Sequence, residues 1–304
     1  MSYETPILFM IFNRPELASA VFESIRQAGP RKLYIAADGP RADVASDPDR
    51  CAQARSVAEL VDWDCDLKLR FRDKNLGPMH AQVDAINWFF ESENEGIILE
   101  DDCLPSEQFF WFCEELLAKY RNDERVFMIS GNNFQGAGFN CNDSYYFSVH
   151  THVWGWATWK RVWDVYDQSL VTWPRFKNLK GLEGLNLPKN TQSFWLDIFE
   201  SIYNKQYHRG WDYRFTYTCW KEHCVNVVPS VNLVSNIGHG MDGTNCTDEN
   251  SPFAALPVGK LDWPLKHPDV IVVNKQADDD TSERMFSKRS LLDRIANRLK
   301  PKTG

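Results

Sequence analysis

Near its start the chain carries a run, Pro6–Phe12 (PILFMIF), in which every residue is apolar, and the run stops at Asn13-Arg14-Pro15. An uninterrupted apolar run of this length suits a strand buried on both faces, which is the habit of parallel sheets. The pattern then repeats. Glu16–Gln27 has Leu17, Val21, Phe22 and Ile25 at helical spacing, with Pro15 suited to a first helical turn. Lys32–Ala37 is a second strand stopped by Asp38-Gly39-Pro40, and a helix is expected over about Asp49–Val61. Asp66–Phe71 alternates as a third strand, Pro78–Phe90 is helical, and Glu95–Leu99 is a fourth strand running into Glu100-Asp101-Asp102. A helix over about Ser106–Tyr120 and a strand at Arg125–Ser130 follow. Strand–helix alternation of this kind predicts an α/β fold: a mostly parallel, Rossmann-like sheet with right-handed crossovers, flanked by helices.

In such sheets the ligand lies beyond the carboxyl ends of the strands. Here those ends read Asn13-Arg14, Asp38-Gly39, Asn75-Leu76-Gly77 and Glu100-Asp101-Asp102. The second half differs. Val149–Tyr166 is rich in Trp, Gln192–Tyr203 and Asp212–Glu222 are predicted helices, and Val225–Val228 and Val231–Ser235 are predicted short strands. Asn236–Asn250 is a polar loop rich in Gly and Asn. No linker divides the chain, so residues 1–281 are expected to form one domain, with a nucleotide half at 1–130 and an acceptor half at 131–281. Residues 282–304 are expected to form a basic amphipathic C-terminal helix that could lie on an anionic membrane or simply be solvated.

Composition narrows the class. The chain has 304 residues, 43% of them hydrophobic and 25% charged, so disordered and fibrous classes are excluded. A net charge of -8 argues against a protein built to grip nucleic acid. No apolar run approaches a membrane span. No basic segment precedes an apolar stretch at Met1–Pro6, so no secretory signal is expected. The eight cysteines form no C-x-x-C pair and are expected as reduced cytosolic thiols.

The acidic triplet is the strongest chemical feature. Three successive carboxylates at a strand end repel one another and persist only if solvated or neutralised by a cation. Hard oxygen ligands suit Mg²⁺ or Mn²⁺, which can bridge a diphosphate. Ile97–Phe110 (IILEDDCLPSEQFF) resembles the strand–EDD signature of nucleotide-sugar glycosyltransferases of the GT-A fold. The nearest resemblance is to the N-acetylglucosaminyltransferases that begin complex N-glycan branching and to bacterial surface-polysaccharide relatives. Asn13-Arg14-Pro15, Asp38, Asn75-Leu76-Gly77 with His80, Gly155-Trp156, Trp211-Asp212 and Pro229–Gly240 resemble further family segments in the same order. Where that family reads W-D-D-W, this chain has Trp211-Asp212-Tyr213-Arg214, so the second acidic position is missing.

The resemblance implies a metal-dependent, inverting transfer of a sugar from a nucleoside diphosphate, UDP in the first instance. The acceptor would be a glycan or lipid-linked glycan, at the cytoplasmic face of a membrane. Asp102 would hold Mn²⁺ or Mg²⁺, with His239 as a second ligand or phosphate donor. Asn13, Arg14, Asp38, His80, Glu100 and Asp101 would line the donor, and Trp154 and Trp156 an acceptor platform. Asp212 would be the catalytic base. Plainer roles stand beside these: Asp212 as a helix N-cap, Asp38 as a turn former, the tryptophans as core. Two other functions are open. A nucleotidyltransferase would want a Gly-rich basic loop where Asn13-Arg14-Pro15-Glu16 stands. An inactive carbohydrate-binding relative would bind nucleotide without needing Asp102.

Overall fold

The structure, a computed structural model, describes residues 3–136, 138–206, 210–239 and 251–286. Its first half follows the predicted alternation. β1 (Ile7–Ile11) is buried along its whole length, as a strand covered on both faces must be. α1 (Pro15–Ala28) buries Ala18, Val21, Phe22 and Ile25. β2 (Lys32–Ala37) leads to α2 (Asp47–Arg55), which starts two residues earlier than expected. The chain then tightens into a 3₁₀ turn at Ser56–Leu60. β3 (Asp66–Phe71), α3 (Pro78–Phe90) and β4 (Glu95–Glu100) complete this half.

β5 (Cys103–Pro105) comes directly after the acidic triplet, followed by α4 (Glu107–Tyr120), β6 (Val126–Ser130), β7 (Tyr145–Ser148) and β8 (Trp156–Trp159). Short helices α5 (Lys160–Trp163), α6 (Trp173–Asn178) and α7 (Gly181–Gly184) lead to α8 (Lys189–Tyr203) and α9 (Trp211–Lys221). β9 (Val225–Pro229), β10 (Val234–Asn236) and α10 (Lys275–Met285) close the described chain.

The central sheet has eight strands in the order β3-β2-β1-β4-β8-β6-β9-β7. β1 pairs in parallel with β2 and β4, β2 with β3, and β6 with β9. β8 is antiparallel to both β4 and β6, and β7 is antiparallel to β9. The chain therefore has an α/β fold with a mostly parallel, Rossmann-like sheet flanked by helices. Bulky side chains from both faces of this sheet make one continuous core.

Three expectations are corrected. The Trp-rich stretch supplies β8, which the sequence pattern did not show; all four of its residues are buried because it sits in the middle of the sheet. The strand expected at Val231–Ser235 is shifted to Val234–Asn236 and lies outside the main sheet, antiparallel to β5. This small pair grips the segment just after Asp102. The third concerns the expected tail helix. Ser282–Met285 belong to α10, which begins at Lys275 with the Asn274 side chain accepting from the Ala277 N–H at 3.1 Å. Phe286 follows it, buried, and residues 287–304 of the expected tail lie outside the described residues. Among the described residues, no helix is long and apolar enough to cross a membrane.

Candidate functional site

β4 delivers the acidic triplet to the carboxyl edge of the sheet, beside the end of β1. The register pairs Met10 with Glu100, so the chain after Phe12 faces Asp101. The Phe12 N–H donates to Asp101 Oδ2 at 3.2 Å. Arg14, next to the first turn of α1, reaches back across the same edge. One Nη of its guanidinium donates to Asp101 Oδ1, and the other to Asp102 Oδ2 at 3.1 Å. The arginine side chain is 17% exposed, that of Asp101 4% and that of Asp102 14%. A bidentate, largely desolvated guanidinium is the strongest kind of neutral-pH partner a carboxylate pair can have. Such a triplet must be solvated or neutralised by a cation, and here the chain itself supplies the cation.

One guanidinium does not balance the whole cluster. Burial, then the neighbouring Asp102 and Asp101 charges, push the Glu100 carboxyl well above its usual range. Glu100 accepts from Gln82 Nε2 of α3 at 2.7 Å, a partner that no sequence motif marks. Burial lifts Asp101 to about 6 against the opposing pull of Arg14. Asp212 lies in the first turn of α9 and is half-buried. Its negative charge is felt at Glu100. It is not the N-cap, a position Gly210 holds. Burial raises its carboxyl to about 6, while backbone N–H groups at the helix start pull the other way. The fold thus sets a second, separate carboxylate within electrostatic reach of the strand-end triplet.

The loop after β10 closes over Asp102. The Ile237 N–H donates to the Asp102 carbonyl at 2.8 Å. Gly238 passes so close that a Cβ there would stand 2.4 Å from Asp102 Oδ2, so only glycine fits. His239 follows. Its ring meets Trp154 edge-on at 5.5 Å, and its buried Nδ1 has no hydrogen-bond partner.

Among the described residues, no three His, Cys, Asp or Glu side chains are grouped so as to hold a metal by themselves. Mg²⁺ and Mn²⁺ sites in phosphate-handling proteins commonly use one or two carboxylates, with substrate phosphates and water completing the shell. Hard carboxylate oxygens at Asp101 and Asp102, excess negative charge and an unpartnered imidazole nitrogen nearby fit such an ion.

Two of the other expected donor residues, Asp38 and Asn13, make structural contacts. Asp38 is 8% exposed, and protein donors occupy its carboxylate: the Gly39 N–H at 2.8 Å, Leu76 N–H at 2.9 Å, Gly77 N–H at 3.1 Å and Asn75 Nδ2 at 2.9 Å. It clips the β3–α3 turn to the end of β2, the turn-forming role that the sequence set beside base reading. Asn13 Nδ2 donates to Asp47 Oδ1 at 2.8 Å, and its carbonyl accepts from Arg50 Nε at 2.8 Å, so it braces α2. Asp47, fully buried and gripped by Arg41, was not anticipated; the Arg41 guanidinium also covers the Phe12 ring at 5.5 Å. His80 is exposed on the first turn of α3, after the clipped turn.

The two expected platform tryptophans part company. Trp154 is half-buried beside His239 and Phe134. Trp156 is fully buried in β8 and cannot touch a ligand, because the centre of the sheet has no solvent face. Gly155 between them has φ +65°, a left-handed turn that sends one ring outward and the next into the core. His150 and His152 are core residues, their imidazoles pushed down to about 4 and about 3 by burial and therefore neutral.

No family model matches the sequence, and no curated protein matches it. Among solved structures, a UDP-glucose pyrophosphorylase complexed with UDP-glucose is similar over 53% of this chain and 78% of its own, at 10% identity and a TM-score of 0.33. A cytidylyltransferase from Leptospira borgpetersenii is similar over 54% and 63%, at 10% identity and a TM-score of 0.30. The inositol-1-phosphate CTP transferase from T. maritima is similar over 54% and 75%, at 8% identity and a TM-score of 0.32. None of the three is described as a glycosyltransferase. Likenesses at these scores decide nothing about the chemistry of this chain.

Proposed function

We propose that the chain transfers a sugar from a nucleoside-diphosphate donor to a hydroxyl of a glycan acceptor, on a fold of the GT-A kind. The observation that carries the reading is the pairing of carboxylates: a strand-end triplet, Glu100 to Asp102, and a separate half-buried Asp212 on α9 whose charge reaches it. Inverting transfer needs that division of labour. Asp102, with His239, would hold a divalent cation, and such a cation neutralises the charge that develops on a departing diphosphate. Glu100, fixed by Gln82, would face the donor sugar.

Asp212 would accept the proton of the acceptor hydroxyl. The acceptor oxygen forms a bond to the anomeric carbon, the bond from that carbon to the phosphate oxygen breaks, and the nucleoside diphosphate leaves with the electron pair. Trp154, beside His239, would stack on a sugar ring, and closure of the 236–239 backbone over Asp102 would exclude water. A lipid-linked acceptor belongs to the same proposal, with membrane contact confined to residues 287–304, since Ser282 and Phe286 are buried.

A second reading is nucleotidyl transfer to a sugar phosphate, the activity for which the structural neighbours are named. It shares the nucleotide-sugar ligand but wants a Gly-rich basic loop after β1, where this chain has Asn13-Arg14-Pro15-Glu16. The deciding experiment has two parts. Titration calorimetry with UDP, GDP, CDP and dTDP, each with and without Mn²⁺, identifies the nucleotide. Incubation of the matching nucleotide sugar with glycan acceptors then tests for nucleoside diphosphate release and an inverted glycoside. Release of pyrophosphate from a nucleoside triphosphate and a sugar 1-phosphate, without glycoside formation, would establish the second reading instead.

A further inference from the structure

The Arg14 guanidinium lies on Asp102, the carboxylate proposed above to hold the divalent cation. It bridges Asp101 and Asp102 from the end of β1, and its contact with Asp102 is to Oδ2 at 3.1 Å. The second Asp102 oxygen, Oδ1, faces the Cys103 thiol at 3.4 Å, and the Gly238 backbone covers Oδ2 from the other side. An ion on Asp102 would have to share Oδ2 with the fork or take Oδ1 beside it. A dication and a guanidinium on one carboxylate edge also repel each other strongly in a site with so little solvent.

We propose that Arg14 is a built-in placeholder: it holds the acidic pair in the ligand-free protein and moves onto the diphosphate when the nucleotide arrives with its metal. The charges then exchange partners and do not accumulate, since the dication pairs with the carboxylates and the guanidinium with the phosphate oxygens it suits geometrically. Metal and nucleotide binding become reciprocally coupled, each opening the place the other needs. This inference rests on the nucleotide-diphosphate reading above and adds to it an order: the bare site binds metal weakly, and the nucleotide makes it bind tightly.

The test is Mn²⁺ binding to the full chain, followed by loss of the free-ion paramagnetic resonance signal, first with Mn²⁺ alone and then with the nucleoside diphosphate that binds. Wild-type protein is expected to hold Mn²⁺ at least about tenfold more weakly without nucleotide than with it, a typical size for such coupling. Arg14→Gln is expected to hold Mn²⁺ alone at least about tenfold more tightly than wild type, and to show a larger rise in melting temperature on adding Mn²⁺. Should the glutamine variant fail to fold, Arg14→Lys keeps one charge but cannot fork across two carboxylates, and it too must bind Mn²⁺ alone more tightly than wild type. Affinity for Mn²⁺ alone that is unchanged or weaker in the variant overturns the placeholder. So does wild-type affinity that ignores nucleotide. If wild type binds no Mn²⁺ with any of the four nucleotides, the nucleotide-sugar reading itself has failed, which is a different result from loss of the Arg14 effect alone.

Discussion

The indole of Trp156 stacks on that of Trp211, with ring centroids 5.3 Å apart and planes 24° from parallel. One is the first residue of β8 and the other the first residue of α9, so the stack bolts the middle of the sheet to the helix that carries Asp212. Tyr166 adds a hydrogen bond to the Trp211 carbonyl at 3.2 Å. Asp212 is therefore placed by core packing.

Trp156→Ala should unmake that placement. Removing a fully buried tryptophan costs about 3–5 kcal/mol, and urea unfolding should show a loss of that size. Trp154→Ala, at a half-buried ring, should leave the unfolding midpoint near wild type while raising the KM for acceptor. Equal destabilisation by the two changes would contradict the separation of core and site made by Gly155.

Asp212→Asn should keep the metal-dependent affinity for nucleotide and lower kcat roughly 100- to 10,000-fold, the usual range for loss of a general base. A base works only when deprotonated. With its carboxyl raised to about 6, wild-type kcat/KM should climb as pH rises through about 6 and then level. The residual activity of the asparagine variant should lack that climb. Stopped assays between pH 5 and 8 on both proteins check it.

Gly238→Ala puts a methyl group where the Asp102 carboxylate already stands. The loop must move, so nucleotide affinity in Mn²⁺ should fall about as far as in Asp102→Asn. That fall should exceed the roughly 10- to 100-fold that losing an outer partner of a ligand costs. Gly238 is itself buried, so the melting temperature should fall as well. Calorimetric titration paired with thermal unfolding separates the two effects.

Asp278 offers a test away from the site. It is 2% exposed and accepts from Ser148 Oγ at 2.5 Å and the Val149 N–H at 3.1 Å, yet burial lifts its carboxyl to about 7. A raised folded-state value means the native chain holds a proton that the unfolded chain gives up near pH 4. The stabilisation is whole below about pH 4 and is lost as pH rises through about 7, a change on the order of a few kcal/mol. Asp278→Asn should flatten this part of the stability profile, measured by urea unfolding in steps from pH 4 to 8.

The first half of the fold was legible because its apolar runs and turn residues repeat with little ambiguity: Pro6–Phe12, Lys32–Ala37 and Glu95–Leu99 each became a buried strand ending at polar residues. β8 was not legible. Trp156–Trp159 has no alternation, since both its faces are buried, and its spacing into Trp163 mimics a helix. The acidic triplet could be placed from sequence because it ends a strand. That Arg14 would close on it could not be read, because its partners lie 87 and 88 positions away. A turn role for Asp38 was open in the sequence, but its donors at Asn75, Leu76 and Gly77, 37 to 39 positions on, were not. Asp212 was visible as part of a Trp-Asp pair, but its approach to Glu100 is a product of the stack on Trp156.

The antiparallel strand at the centre of the sheet also governs how the chain must assemble. β4 and β6 never bond to each other; β8 stands between them and bonds to both. A nascent chain that has emerged only as far as Ser130 thus has two finished strands facing a gap, each with an unsatisfied backbone edge of the sort that recruits other chains. The gap closes only when Trp156–Trp159 returns from some sixty residues beyond β4, a slow, non-local step. The strand that fixes the site's geometry is the last piece the sheet's centre receives, so the acidic edge is not complete until the second half of the chain has folded around it.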